Sequence, residues 1–319
     1  MKNGKHILVT GGAGFIGAHL VERLLEDGKS VVVIDDLSTG SRDNLRAVAQ
    51  QKNFRFIQTK ISAFAELPEL AANAEFIFHL AATVGVELVV KSALHVLEAS
   101  FNETQILLRA AAKNSTPILF TSTSEVYGKS AKPEFSEDDD LLIGPPGQSR
   151  WSYACSKLTD EFLALAYARE RNLPVTIARL FNTVGPRQTG RYGMVLPRFI
   201  SAAKTNEPLK VFGDGAQSRC VCLVHDVVEA LVRLQNSDAA RGEIFNIGGT
   251  EEISILELAK LVVATLGSKS AIELIPYDQA YAPGFDDMRR RKPLVEKLER
   301  CVNFKPQTPL REIIQLTAG

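Results

Sequence analysis

The chain has 319 residues, 45% of them apolar, enough for one large domain or two of ordinary size around a packed core. Lysine plus arginine and aspartate plus glutamate number 37 each, so no whole-chain field recruits nucleic acid or an acidic membrane surface, and any positive patch must be local. No run of about 18 apolar residues occurs, and Met1-Lys2-Asn3 leads into an apolar strand too short for a signal-peptide core, so a soluble cytoplasmic protein is expected.

The first strand, 6 to 10, runs into TGGAGFIG, where Gly11, Gly14 and Gly17 have the GxxGxxG spacing of a strand-to-helix corner that takes a dinucleotide pyrophosphate on the helix N-terminus. A helix from Gly14 to about Asp27 follows, with Phe15 and Ile16 at the same corner as cofactor contacts. The next strand, 30 to 35, ends in VVVIDD. Asp35, 24 residues beyond Gly11, offers a carboxylate that accepts from ribose hydroxyls and repels a 2′-phosphate, which favours NAD over NADP. Strands at 54 to 58 and 75 to 80 come next. The second ends in His79-Leu80-Ala81-Ala82, small residues that let backbone approach a ligand.

A helix from about 93 to 113 leads to a strand at 117 to 121, whose C-terminal end carries TSTSEVYG, the end at which open α/β sheets bind ligands. RWSYACSK then sets Tyr153 and Lys157 four apart on one face of a helix reaching Arg171, so that a phenol and an ammonium flank one cofactor. A free tyrosine titrates near about pH 10, and bringing it to neutrality takes about 4 kcal/mol of differential stabilisation. Lys157 and a positive nicotinamide would supply this jointly, and Tyr153 would then take the proton of a substrate hydroxyl as hydride leaves the same carbon.

With a further strand at 175 to 179, this rhythm predicts an α/β fold, a Rossmann-type doubly wound parallel sheet. After Asn182 the rhythm breaks at GPRQTGRYG and EPLKVFGDG, followed by a helix at about 225 to 236 and a mixed tail. The expected division is a dinucleotide-binding domain of residues 1–180 plus about 220–247, and a smaller substrate domain of about 181–219 plus 248–319. The acidic run Glu137 to Asp140 reads as a solvated loop and no metal site is expected. The four cysteines (155, 220, 222 and 301) lack zinc spacing and read as buried reduced thiols. The helices at 93–113 and 153–171 are apolar on more than one face, as at Phe162, Leu163, Leu165 and Ala166, so they suit packing on their own sheet and on a second copy.

GxxGxxG, the hydroxyl-rich strand end, YxxxK, RLFNTVGPR (179 to 187) and NFKPQTPL together resemble the extended short-chain dehydrogenase/reductase family, specifically its nucleotide-sugar epimerases, dehydratases and decarboxylases. The resemblance spans essentially the whole chain and implies NAD as cofactor, a nucleotide sugar, UDP-linked, as substrate, and a homodimer built through a four-helix bundle. It implies that Thr123 helps Tyr153 hold the sugar O4 and that Lys157 grips the nicotinamide ribose. Ser124, Asn182, Arg187, Val195, Leu196, Phe212 and Arg219 are implied around the sugar, diphosphate and uridine, with Arg219 and Arg291 supplying positive charge. Two positions depart from the family pattern: Lys60 stands where an acid often meets the adenine amine, and Ser100 where Asn is frequent.

Enzymes of this group oxidise C4 of the sugar to a ketone and then diverge. Dehydratases carry Asp-Glu after the threonine. Here the pair is Ser124-Glu125, so loss of water lacks its general acid. SEVYG, RWSYACSK and an Arg before Lys-Pro resemble instead the UDP-glucuronate decarboxylases of the UDP-xylose synthase type. There C4 oxidation makes a β-keto acid, Glu125 would repel the substrate carboxylate, Arg291 would position it, and recycled NADH would reduce the ketone. A hydrogen bond from the backbone or a sugar hydroxyl is the other role open to Glu125. A UDP-hexose or UDP-hexuronate 4-epimerase is the alternative, because RLFNTVGPRQTGRYGMV and HLAATVGVE lie closer to epimerases. A non-catalytic NAD-binding protein would have lost Thr123, Tyr153 or Lys157, and all three are present.

Overall fold

The computed structural model describes residues 5–82, 93–190, 194–276 and 290–319. Parts of three sequence motifs, residues 83–87, 191–193 and 288–289, lie outside these. β1 (His6–Thr10) is buried at every position, as a strand covered on both faces must be. β2 (Val31–Asp35), β3 (Phe54–Gln58), β4 (Ala74–His79), β5 (Ile118–Thr123) and β6 (Val175–Leu180) join it in one sheet. β7 (Thr183–Val184), β8 (Leu209–Phe212), β9 (Ser218–Cys220) and β10 (Cys222–Leu223) lie outside that sheet, and β11 (Ile244–Ile247) closes its edge. The order is β11-β6-β5-β4-β1-β2-β3 with every pair parallel, the doubly wound arrangement expected from the alternating pattern.

The order reverses between β1 and β4, which opens a crevice at their C-terminal ends. Side chains alternate across the strands: Ile7 and Val9 point to one face and Leu8 to the other. On the first face α1 (Phe15–Glu26) packs with Leu20, Val21 and Leu24. After α2 (Leu67–Ala72), α3 (Ala93–Ala112) and α4 (Trp151–Arg171) cover the second face through Leu107, Leu108, Ala111 and Ala164. Each large apolar side chain so buried contributes about 1.5–3 kcal/mol.

Beyond β6 a separate core forms between α5 (Val195–Thr205), β8 and two later helices, Ile255–Leu266 and Leu310–Ala318, around Phe199, Val211, Leu258 and Ile313. The helix Val224–Gln235 instead covers the sheet with α1, and Leu298 of the short helix Glu296–Val302 joins that same core. No helix among the described residues is long and apolar enough to cross a membrane.

Two expectations are corrected. The acidic run is not a wholly solvated loop: Glu137 is buried, and its Oε1 accepts from the backbone N–H of Asn246 at 2.8 Å. The cause is the sheet edge, since β11 pairs on one side only and its outward N–H groups need acceptors. The cysteines also divide. Cys220 and Cys222 are buried, and burial pushes the Cys220 thiol up to about 12, but Cys155 is exposed on α4.

Candidate active site

A crevice of about 730 Å³ runs along the C-terminal ends of the strands, and every residue assigned from the sequence to cofactor, catalysis or substrate lines it. At one end the chain leaves β1 through Gly11, which has φ +73°, and a Cβ there would lie 2.6 Å from the backbone N of Ala81. A Cβ on Gly17 would run into the carbonyl of Gly11, so turn and helix approach as closely as they do only because both are glycine. Gly14 caps α1 without a side-chain hydrogen bond, and no acid stands in the first turn. The first N–H groups of the helix therefore point at the crevice as an anion site.

Asp35 ends β2 at the same corner, its Oδ2 accepting from Ala13 N at 2.9 Å and its Oδ1 from Leu37 N at 2.8 Å. Burial raises its pKa, while those two bonds oppose the rise. Each oxygen retains acceptor capacity for a ribose hydroxyl. Leu80, Ala81 and Ala82 form the facing wall, and the buried Ser122 hydroxyl has no hydrogen-bond partner among the described residues. These residues fit a dinucleotide laid from Asp35 across the glycine corner to the end of β5.

At the other end Thr123 finishes β5. Its Oγ1 accepts from Glu125 N at 3.2 Å and is hydrogen-bonded to the Tyr153 phenol. One turn along α4, the Lys157 Nζ donates to Thr121 O at 3.2 Å and sits 4.5 Å from the Phe120 ring centroid. The phenol is not brought down by the protein's own charges. Burial pushes it above its ordinary range, Glu125 and Asp160 push the same way, and only Thr123 pulls it back. The joint lowering expected of Lys157 and a positive nicotinamide concerns the cofactor-bound site; in the protein alone burial dominates.

Glu125 is held by two arginines, Arg291 Nη1 at 2.6 Å from Oε1 and Arg150 Nη2 at 3.3 Å from Oε2. Burial pushes its carboxyl up, yet Arg291, Arg150 and Arg219 together more than reverse this and hold it below the usual carboxylate range. A carboxylate so compensated is a weak source of repulsion, which qualifies the role expected of Glu125. Arg150 was not singled out in the sequence. Its signal was available, since it stands three residues before Tyr153, one helical turn away.

The substrate half is lined by Val195, Leu196, Phe212 and Arg219, with the Arg198 guanidinium 4.8 Å from the Phe212 ring centroid. Ser124 is buried beside Glu125. Asn182, at φ +31°, uses its amide nitrogen to bond Cys220 O at 3.0 Å, stitching β9 to the end of β6. Arg187 lies toward the cofactor half, bidentate on Glu22 at 2.7 Å and on Asn44 O at 3.0 Å, so it ties α1 to the segment after β6. Of the two departures, Lys60 is exposed at the rim and Ser100 donates to Asp160 Oδ2 at 2.6 Å.

Behind this wall His79 is buried between Thr10 Oγ1 at 2.7 Å and Thr104 Oγ1 at 3.3 Å. Burial, then Lys157, lowers its pKa to about 3 from an ordinary 6.5. A pKa lower in the folded state means that the unfolded chain takes the proton first, so stability falls as pH drops below about 6.5. Between pH 7 and 5 this single ring accounts for about 2 kcal/mol. Urea denaturation at the two pH values should show a pH dependence smaller by about that amount in His79→Gln, and equal slopes in both proteins would contradict it.

A family model, described as the NAD dependent epimerase/dehydratase family, matches residues 7–248. The chain belongs to the NAD dependent epimerase/dehydratase family. NAD is accordingly the cofactor, and the glycine corner and Asp35 fit it. Among relatives of this family member, the UDP-N-acetyl-alpha-D-glucosaminuronate decarboxylase of Bacillus cytotoxicus is 41% identical over 98% of this chain and 97% of its own. UDP-glucuronic acid decarboxylase 2 of Arabidopsis thaliana is 34% identical over 99% of this chain and 68% of its own. The crystal structure of UDP-glucuronic acid 4-epimerase from Bacillus cereus, in complex with UDP-glucuronic acid and NAD, superposes with TM-score 0.87 at 28% identity, covering 98% of each chain.

Proposed function

We propose that the protein decarboxylates a UDP-linked hexuronate through a transient 4-keto sugar. The observation that carries this reading is the clasp of Glu125 by Arg291 and Arg150 beside the Thr123–Tyr153 pair, since a neutral hexose has no use for two guanidinium groups next to its reacting carbon. The decarboxylase names of the two relatives support it. NAD, when bound, supplies a reversible hydride acceptor and a positive ring beside the phenol.

Tyr153 takes the proton of the sugar 4-hydroxyl, and Thr123, already bonded to that phenol, holds the same oxygen. Lys157, as an ammonium on the same helix face, stabilises the phenolate. With C4 a ketone, the hexuronate is a β-keto acid. The C5–C6 bond then breaks, its electron pair passes to the C4 oxygen as an enolate, and CO2 leaves; C5 next takes a proton from water, and C4 regains the hydride it gave up while Tyr153 returns the proton to O4. Tyr153 and Thr123 donate hydrogen bonds to that developing oxyanion. Arg291 and Arg150 orient the carboxylate beforehand, sharing it with Glu125 so that it is not held so tightly as to resist losing its charge.

The test is separate incubation with UDP-glucuronate, UDP-N-acetylglucosaminuronate, UDP-glucose and UDP-N-acetylglucosamine, with products read by NMR. A UDP-pentose or its 2-acetamido counterpart, with CO2, is expected from a uronate. A C4-inverted sugar of unchanged mass would replace the reading by a 4-epimerase.

We also infer a homodimer formed by α3 and α4 in a four-helix bundle. Leu94, Leu97 and Phe101, spaced three and four apart on α3, are 70%, 38% and 41% exposed, and Phe162 on α4 is 64% exposed. Light scattering should give the mass of two chains, and Phe162→Glu should give one. An unchanged mass for that variant would contradict the assignment. A cytoplasmic location is inferred with it, the surroundings in which the Cys220 and Cys222 thiols stay reduced.

A further inference from the structure

We propose that Asp160 is a positioning residue that keeps Lys157 an ammonium ion beside Tyr153. The inference rests on the reading of Tyr153 and Lys157 as the acid–base pair and concerns a residue with no part in the steps above. Asp160 follows Lys157 by three residues on α4, so the two side chains share a face. Both are inside the protein, Asp160 at 0% and Lys157 at 2% exposure.

The groups around Lys157 leave little else to balance its charge. From β5, Thr121 gives a carbonyl at 3.2 Å and Phe120 a ring at 4.5 Å, both neutral. From β4, His79 is held neutral between two threonine hydroxyls. On α4 itself Glu161 carries a negative charge, but Arg179 of β6 clasps it, Nε to Oε1 at 3.1 Å and Nη2 to Oε2 at 2.8 Å. Tyr153 on the same helix is a phenol whose pKa is raised. From α3, Ser100 and Thr104 bring only hydroxyls. Asp160 is therefore the carboxylate left to face the ammonium.

Its own placement is built. Ser100 Oγ donates to Oδ2 at 2.6 Å, and Thr104 also bonds to this carboxylate. Ser100 thus fixes Oδ2 from α3, and Oδ1, also buried, has no hydrogen-bond partner among the described residues. Burial pushes Lys157 down, and Asp160 leads the groups that pull it back. Burial likewise pushes Asp160 up, with Lys157 first among the groups opposing it. Such mutual support is what a buried pair requires. Ser100 thereby has a task in this chain, as the donor that holds Asp160 in place.

The experiment is an ¹⁵N NMR titration of the lysine side-chain amines of the full chain, with the Lys157 signal assigned by its loss in Lys157→Met, run beside the pH profile of kcat/KM. In Asp160→Asn the Lys157 ammonium should lose its proton at a pH about one unit lower or more, the alkaline limb of the profile should move the same way, and Asp160→Glu should restore both. An unmoved titration, or a uniform fall in kcat/KM with the profile unchanged, overturns the proposal. Should Asp160→Asn fail to fold, the reciprocal measurement decides. The Asp160 carboxyl, followed by ¹³C NMR, should titrate at higher pH in Lys157→Met than in the parent, and an unmoved carboxyl overturns the proposal. Full turnover by Lys157→Met would overturn the acid–base reading itself, and the proposal with it.

Discussion

Replacing Tyr153 by Phe is expected to lower turnover of the UDP-hexuronate by about 10³-fold or more. The variant loses one oxygen and keeps the ring, so packing at the start of α4 should stand, and the glycine corner and Asp35, which fit NAD, are untouched. What disappears is the phenol with which that helix lines the crevice. Thr123 remains at the sugar O4, but an aliphatic hydroxyl is a far weaker acid and cannot form an anion at neutral pH. Steady-state kinetics should therefore show the loss in kcat with KM little changed, and a thermal-shift titration should show NAD binding retained. Retained turnover would remove the proton acceptor from the account.

Glu125→Gln is expected to separate binding from chemistry. The amide cannot balance Arg291 and Arg150, which in the parent stand 2.6 and 3.3 Å from its carboxylate oxygens. Both guanidinium groups then have one counter-charge fewer and grip the substrate carboxylate more firmly. A tighter ground state with no matching gain in the transition state lowers KM and kcat together. The expected result is kcat reduced about 10²-fold, an effect of the size found when one electrostatic partner is removed, with KM unchanged or lower. Folding should also weaken by up to about 3 kcal/mol, because two partly buried cations lose one counter-charge they share. An unchanged kcat would show that the carboxylate is a bystander, and a raised KM with unchanged kcat would assign it to binding alone.

The parts of the site legible in the sequence are those set by short-range geometry. Gly11 and Gly17 are dictated by a corner that admits no Cβ, Asp35 by its place at the end of the adjacent strand, and Tyr153 with Lys157 by one turn of helix. The doubly wound sheet follows from the same alternation of apolar runs and amphipathic stretches, and its strand order puts all of these at one crevice. What the sequence does not display is which charges meet across distant segments. Glu125 and Arg291 lie far apart in the chain, so their pairing, and the weakened repulsion that follows, waits on the fold. The acidic run misleads for a related reason: four acids in a row suggest solvent, whereas Glu137 answers the need of a sheet edge for an acceptor. The phenol's acidity likewise depends on what the fold buries, since desolvation pushes it up before any cofactor charge acts.

The central claim is that hydride taken from C4 of the sugar returns to C4 of the same molecule while CO2 leaves. The most direct measurement uses UDP-glucuronate and UDP-N-acetylglucosaminuronate deuterated at C4, in unlabelled buffer, with the product examined by NMR. The account predicts a decarboxylated UDP-sugar that keeps its deuterium at C4. Decarboxylated product that has exchanged that deuterium for hydrogen, or labelled sugar recovered with its carboxylate intact, would contradict it.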